Sequence, residues 1–174
     1  MALESDDLIR RLQELGISQL THEHAAVFTV EEAQRHCSHL PGAHCKNLFF
    51  KDKKDELWLV VTLDGREVNI KALQKAMGAA RLSFGKAELL MEVLGVIPGA
   101  VTPFGLINDT EQRVQVILDA EMMAADLLNY HPLRNDATTA ITPADLRRFI
   151  SACGHSARDL EIPPPEAAGS AGAA

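Results

Sequence analysis

The sequence predicts a single domain of the mixed α+β class, in which helices surround a mixed β-sheet. Three observations support this fold class. The chain has 174 residues, which suits one domain. Its β-prone runs are short and several are joined by tight turns, such as the one at Asp64-Gly65. Helical stretches are interleaved with these runs without a regular βαβ repeat, which favours a mixed sheet over a parallel one.

Five stretches carry the signals of helices. The first offers Ser5, Asp6 and Asp7 as caps and stops at Gly16, whereas the second opens with a capping box at Thr29. Thr142, followed by a proline, is a strong start for the last helix. The predicted helices begin at about residues 5, 29, 71, 83 (capped by Ser83) and 142, and they end near residues 15, 40, 77, 94 and 153.

The β-prone runs predict a hairpin and several further strands. Residues 46–50 and 57–62 are joined by the polar residues 51–56, which predicts a hairpin. Further strands are expected at residues 67–70, 114–119 and 138–141. The predicted domain spans residues 1–160. Residues 161–174 are rich in proline, alanine and glycine and have no apolar face, so we expect a disordered tail without a function.

Composition excludes several classes of protein. No apolar run approaches the ~18 residues of a membrane span, and the amino terminus does not resemble a signal peptide. The three cysteines cannot all pair and form no CxxC motif, so a reducing cytoplasm is the expected location. The net charge of −7 argues against general binding of DNA or RNA.

The charge is distributed unevenly. Residues 44–86 contain nine Lys/Arg and five Asp/Glu, whereas the remainder contains eight basic and nineteen acidic residues. A basic patch on an acidic protein fits one particular RNA better than RNA in general. A solvated charged surface explains the same count equally well.

Three features suggest a binding or catalytic site. Lys46-Asn47 opens an apolar strand, where the lysine can hold a phosphate or carboxylate or can simply protect a sheet edge. The loop at residues 95–105 has three glycines and two prolines, so its backbone amides can approach an oxyanion, although it can also be an awkward connector. His131 can act as a base or hold a sugar hydroxyl, but a histidine satisfied by its neighbours is the default.

Metal, nucleophile and nucleotide sites are not indicated. Histidine is frequent, but there is no HExxH, no paired CxxC and no compact ligand set, so no metal is expected. GxSxG is absent, and no spacing pairs a thiol with a base. No phosphate-binding glycine loop is present, and we expect no cofactor.

The sequence resembles the YbaK/prolyl-tRNA synthetase-associated editing domains, most closely the free-standing branch known as PrdX or ProXp-ala. The resemblance runs in order, without a large gap, from about residue 6 to residue 160. It is carried by residues 46–54, 57–61, 81–84, 91–108 (with Gly99-Ala100-Val101-Thr102-Pro103), 129–135 and 138–145. The complete ordered set is much more specific than its GxxxP loop alone.

The resemblance implies a strongly curved sheet and hydrolysis, in trans, of a mischarged aminoacyl-tRNA. It implies that Lys46 anchors the tRNA end and that the backbone at Gly99 positions the carbonyl, which makes these two the catalytic residues. The implied substrate-binding residues are Asn47, Ala100, Val101, Thr102, Pro103 and His131. The family needs no metal and uses the terminal ribose hydroxyl of the tRNA to activate water.

The expected substrate is alanine attached to tRNA(Pro). A pocket shaped for proline rejects a smaller side chain only weakly, by about 10–200-fold per methylene. A second pocket, just wide enough for a methyl side chain, would complete a double sieve. Cysteine or another small amino acid on the tRNA is an alternative, as is a non-catalytic module that binds tRNA or a synthetase. The expected partners are alanyl-tRNA(Pro) and prolyl-tRNA synthetase, with no DNA or membrane, and the expected state is a monomer.

Overall fold

The computed structural model describes residues 1–165, which form one eight-stranded mixed sheet with helices on both faces. The strand order is β1-β7-β6-β2-β3-β5-β8, and β4 pairs with β2 outside this path. The strands are β1 (Leu20–Glu23), β2 (Ala43–Asp52), β3 (Leu57–Leu63), β4 (Leu82–Phe84), β5 (Val114–Asp119), β6 (Leu128–Tyr130), β7 (Ala137–Ile141) and β8 (Ala157–Leu160). The predicted fold class is therefore confirmed.

Within residues 1–165, five α-helices flank the sheet. They are α1 (Ser5–Glu14), α2 (Val30–Cys37), α3 (Ile70–Met77), α4 (Ala87–Leu94) and α5 (Pro143–Ala152), and 3-10 helices occur at Pro103–Asn108 and Met122–Ala124. The predicted cap at Thr29 is confirmed, since its side chain accepts a hydrogen bond from the Glu32 amide. Thr142 caps α5 in the same way, through the Asp145 amide. In α1 the capping residue is Glu4, one residue before the predicted caps.

The strand β3 is buried on both sides because it lies at the centre of the sheet. Leu57, Leu59 and Val61 pack with α1, α4 and α5 in the larger apolar cluster. Trp58 and Val60 point the other way, into a smaller cluster with α3. This alternation follows from the two-residue period of a strand.

Two local predictions are wrong. Residues 67–69 form no strand and Ile70 begins α3, because the Asn69 side chain caps that helix by accepting from the Ala72 amide at 3.1 Å. Ser83 caps no helix; it lies in β4, where its hydroxyl donates to the Lys51 carbonyl. The helix predicted there begins at Ala87 instead.

The beginning of the predicted tail is packed against the domain. Ile162 is only 4% exposed and belongs to the smaller apolar cluster. Disorder is therefore the wrong prediction for this residue. Residues 166–174 of the predicted tail lie outside the described part of the chain.

Candidate functional site

A recess of about 210 Å³ lies where β2 passes β6, and it is closed by the loop before the 3-10 helix at Pro103–Asn108 and by α2. Strands β2, β6 and β7 and the residues that directly follow β3 and β6 supply polar groups to its lining: Lys46, Asn47, Asp64, Asn129, His131 and Thr138. Phe28, Val30 and Ala33 supply an apolar wall from the α2 side. The recess thus combines several hydrogen-bonding groups with an apolar surface, as ligand sites commonly do.

Lys46 lines this recess and lies on β2, near the point where β2 begins to pair with β3. Its ammonium donates to the backbone carbonyl of Arg66, in the turn that follows β3. An ammonium has three donors. Residues 1–165 provide no second acceptor for it, so two donors remain for a ligand.

Asn47, the next residue on β2, brings an unused acceptor. Its Oδ1 is buried and has no hydrogen-bond partner among residues 1–165. Buried polar atoms are nearly always paired, since leaving one unpaired costs free energy. A donor from a bound ligand would relieve that cost.

Gly99 and Val101 form the loop side of the recess. Gly99 has φ +92°, in the left-handed region, and its α-carbon faces the backbone of Val27 and Phe28. The Ala100 amide is already used, since it donates to the Ile97 carbonyl at 3.0 Å. The amides of Gly99 and Val101 donate to no acceptor within residues 1–165. They are therefore free to bind an oxygen atom.

His131 presents a neutral ring to the recess. Its Nδ1 lies 2.8 Å from the Ala137 carbonyl, which can only accept, so Nδ1 carries the proton. Burial lowers the pKa of His131, and only part of this effect is offset by the Ala137 carbonyl. The ring is consequently neutral near pH 7, and Nε2 is an acceptor.

The two recess cysteines are protonated thiols. Burial raises the pKa of Cys45 to about 12, and it also raises the pKa of Cys37. The thiolate is the nucleophilic form of cysteine. Neither cysteine is therefore an activated nucleophile near neutral pH.

The structure brings five of the predicted site residues together: Lys46, Asn47, Gly99, Val101 and His131. It does not bring the other three to the recess. Ala100 and Thr102 are fully buried, and Pro103 is buried at the start of the 3-10 helix. The Thr102 hydroxyl is occupied because it accepts from the Phe104 amide.

The recess is larger than predicted. Its volume of about 210 Å³ is far above the ~10–15 Å³ that a cavity needs to hold a single water molecule. The expectation of a recess just wide enough for a methyl group is thus wrong for the recess as a whole. Any selection by size must occur within a smaller part of it.

Sequence reasoning missed several residues that line the recess, notably Asp64, Asn129 and Thr138. Thr138 is positioned by tertiary contacts: its hydroxyl lies 2.8 Å from His24 Nε2 and 3.7 Å from the thiol of Cys37. Those partners are more than 100 positions away in the chain. The only signal for Asp64 was its turn motif, which predicted a turn but no site.

Within residues 1–165, no group of three or more His, Cys, Asp or Glu side chains could hold a metal ion. None of the helices in the same part of the chain is long and apolar enough to cross a membrane.

Comparison with known proteins identifies the family to which the chain belongs. Residues 24–149 match the model of the aminoacyl-tRNA editing domain, and the chain belongs to this family. It is similar to prolyl-tRNA synthetase associated domain-containing protein 1 of Danio rerio, with 42% identity over 86% of this chain and 85% of the relative. It is also 32% identical to the prolyl-tRNA editing protein ProX of Acetoanaerobium sticklandii, over 89% of this chain and 95% of that protein.

The solved structures support the same fold. One described as a candidate trans-editing enzyme for prolyl tRNA synthetase superimposes with a TM-score of 0.68 at 20% identity, covering 92% of this chain and 98% of the other. The resemblance seen in the sequence is thereby confirmed: the chain is a member of the YbaK-type, prolyl-tRNA editing group.

Proposed function

We propose that this protein is a trans-editing deacylase that hydrolyses alanyl-tRNA(Pro) to alanine and free tRNA. One observation carries the proposal: one recess of a prolyl-tRNA editing fold is lined by a lysine, by two loop residues whose backbone amides have no acceptor within residues 1–165, and by an asparagine whose side-chain oxygen has no donor there. Lys46 and Gly99 are the residues that we assign to catalysis. Asn47, Val101 and His131 contact the substrate.

The reaction needs orientation more than a strong nucleophile. An aminoacyl ester is already activated, and precise positioning can contribute about 7–11 kcal/mol to lowering a barrier. Water adds to the ester carbonyl, the carbonyl oxygen becomes an oxyanion, and the bond to the ribose oxygen then breaks. The ribose oxygen takes the proton that the attacking water loses, and the carboxylic acid of the released alanine then ionises by giving its remaining proton to the solvent.

Each recess group has a role in these steps. The amides of Gly99 and Val101 bind the oxyanion, where such donors are most effective. The two remaining donors of Lys46 bind a phosphate at the tRNA end. His131 accepts from a ribose hydroxyl through Nε2, and the Asn47 oxygen accepts from the α-ammonium group of the amino acid.

The exposed charges support RNA as the substrate carrier. Of the basic residues in segment 44–86, five are exposed around the β2–β3 turn and β4: Lys51, Lys53, Lys54, Arg81 and Lys86. Lys51 forms an ion pair with Asp55, but Asp55 is itself exposed and pairs of this kind are weak. Phosphates would compete with it effectively.

The test uses purified protein with tRNA(Pro) charged with alanine, cysteine or proline, and it follows release of the labelled amino acid. Alanine should leave fastest and proline should stay attached. Preferential release of cysteine would move the substrate to the cysteinyl alternative. Release of none of the three would refute the enzyme and favour a tRNA-binding module.

The role of Lys46 is tested with Lys46→Ala. We expect deacylation to fall by at least about 100-fold, because the reacting ester loses its anchor. Lys71→Ala is the matched control, since Lys71 is an exposed lysine on α3 that does not line the recess. Its rate should stay within about 2-fold of wild type, as surface changes generally have small effects.

A further inference from the structure

Arg66 and Asp119 do not line the recess, and the proposed hydrolysis does not use them directly. We propose that Arg66, held in place by the buried carboxylate of Asp119, is a positioning residue that aims the Lys46 ammonium into the recess. The inference rests on the proposed function, because the residue that it positions is the proposed anchor of the tRNA end.

The link to Lys46 is a backbone carbonyl. The Lys46 ammonium donates to the Arg66 carbonyl, at the end of the turn that leaves β3. The Arg66 amide closes this turn by donating to the Leu63 carbonyl at 3.1 Å. A carbonyl can fix a flexible lysine side chain only if the turn that carries it is itself fixed. The side chain of Arg66 provides that restraint.

Three acceptors hold the Arg66 guanidinium. Its Nε lies 3.1 Å from Asp119 Oδ2, an ion pair that lacks hydrogen-bond alignment, and Nη2 pairs with the Glu121 carboxylate. Nη1 donates to the Ile162 carbonyl at 3.5 Å, a long contact. The Arg66 side chain is 20% exposed, so these partners largely enclose it.

Asp119 is the fixed point of this arrangement. Its side chain is 1% exposed, and Oδ2 accepts from the Thr62 hydroxyl at 2.6 Å. Its Oδ1 accepts from the Glu121 amide at 2.9 Å. A buried carboxylate requires a counter-charge, which Arg66 supplies.

The network connects three neighbouring strands to the recess. Thr62 on β3 is the register partner of Lys46 on β2, and Asp119 ends β5, the next strand. The Asp119 carboxylate therefore holds two elements next to Lys46. Its hydrogen bond from Thr62 holds the strand opposite Lys46, and its ion pair with Arg66 holds the turn whose carbonyl accepts from Lys46. The anchor cation is thus supported from two directions.

The perturbation is Arg66→Met, which keeps much of the side-chain volume and removes the charge. Arg66→Lys restores a cation and should rescue most of the effect. Because Arg66→Met leaves Asp119 unpaired, a double variant with Asp119→Asn removes both charges and provides a second test. Arg147→Met is the matched control; it breaks an ion pair of 2.5 Å with Asp159, between α5 and β8, whose partners do not line the recess.

The first measurement reports on Lys46 without requiring activity. The folded variants are acetylated with trace reagent, and mass spectrometry gives the labelling of Lys46 relative to Lys71. We expect this ratio to change by about 5-fold in Arg66→Met and in the double variant, as for loss of one hydrogen bond. Arg66→Lys and Arg147→Met should leave it near the wild-type value.

The second measurement is the single-turnover rate on alanyl-tRNA(Pro) over a range of enzyme concentrations. The maximal rate should fall by about 10–100-fold in Arg66→Met, while the half-saturating concentration changes by less than about 3-fold, because the misplaced group acts at the ester. A merely structural role would lower both or neither.

The outcomes separate the two proposals. An unchanged Lys46 labelling ratio in folded Arg66→Met and in the double variant would overturn the positioning role, whatever the activity. If wild type releases no amino acid but the labelling ratio still changes, the proposed function is wrong and the positioning of Lys46 by Arg66 stands.

Discussion

The substitution Gly99→Ala tests whether the loop backbone shapes the reacting site. Gly99 has φ +92°, a conformation that costs other residues about 1–2 kcal/mol. The added Cβ would also lie 3.2 Å from Phe28 Cα and 3.4 Å from the carbonyl oxygens of Val27 and Phe28. These neighbours are backbone atoms, so the loop or the wall of the recess must shift by a few tenths of an ångström.

The expected effect on stability is modest and the effect on activity is large. A loss of about 1–2 kcal/mol corresponds to a fall of about 2–8 °C in Tm for a chain of this size. The displaced loop would carry the Gly99 and Val101 amides away from the proposed position of the oxyanion, and small misplacements can cost about 100-fold in rate. We expect the rate on alanyl-tRNA(Pro) to fall by about 10–100-fold, measured below the Tm of the variant.

Gly78→Ala provides the control for backbone strain. Gly78 has φ +72° at the end of α3, and no atom lies within 4 Å of the point that an added Cβ would occupy. This variant should lose a similar amount of stability and keep wild-type activity. The reasoning would be refuted if Gly99→Ala were fully active, or if Gly78→Ala lost as much activity.

Three further predictions concern the buried groups. Because burial raises the pKa of Cys45 to about 12, its thiol should react with iodoacetamide at pH 8 much more slowly than a free cysteine. Cys45→Ala should keep most activity. Rapid alkylation of Cys45, or loss of activity in the variant, would contradict this prediction. The pKa of His131 is lowered in the folded chain, so the unfolded chain binds the proton more readily. The contribution of the neutral His131 to the free energy of unfolding is therefore complete above pH ~6.5, and it decreases as the pH falls below that value. Unfolding followed over pH 5–8 should show a smaller decrease in His131→Gln; an identical profile would count against it. His155 Nε2 lies 2.8 Å from Asp109 Oδ2 with both side chains 2% exposed, so His155→Phe should lower the free energy of unfolding by about 1–3 kcal/mol. Its activity at 25 °C should be retained, since His155 does not line the recess; an unchanged Tm would contradict the structural role.

The sequence predicted those strands and helices that are marked by their own residues. The strand at residues 114–119 was found in full because it is a run of apolar, β-branched residues, and α5 was found because Thr142 and the following proline mark its start. The strand β1 was missed because its sequence is largely polar, and β6 because it has only three residues. Both are held by pairing with β7, a contact between distant parts of the chain.

The candidate site could be predicted only in part for the same reason. Lys46 and Gly99 carry signals in their own segments, but their meeting in one recess depends on the sheet order. The support of Lys46 by Arg66 and Asp119 had no sequence signal at all, since residues 46, 66 and 119 are brought together by three strands. Their roles in a reaction remain predictions until deacylation is measured.

The chemistry of the recess indicates that the proposed activity depends on the positions of its groups more than on a reactive side chain. The recess thiols are protonated, and His131 is a neutral acceptor whose pKa is lowered, so the described residues of the recess provide no strongly activated nucleophile. In the proposed deacylation, rate enhancement must then come from holding the ester, the water and the oxyanion donors in register. In the proposed mechanism, a backbone held at φ +92° and a lysine held through a buried ion pair are the devices that do so. Substitutions that move these devices should therefore reduce the rate more than substitutions of the recess cysteines.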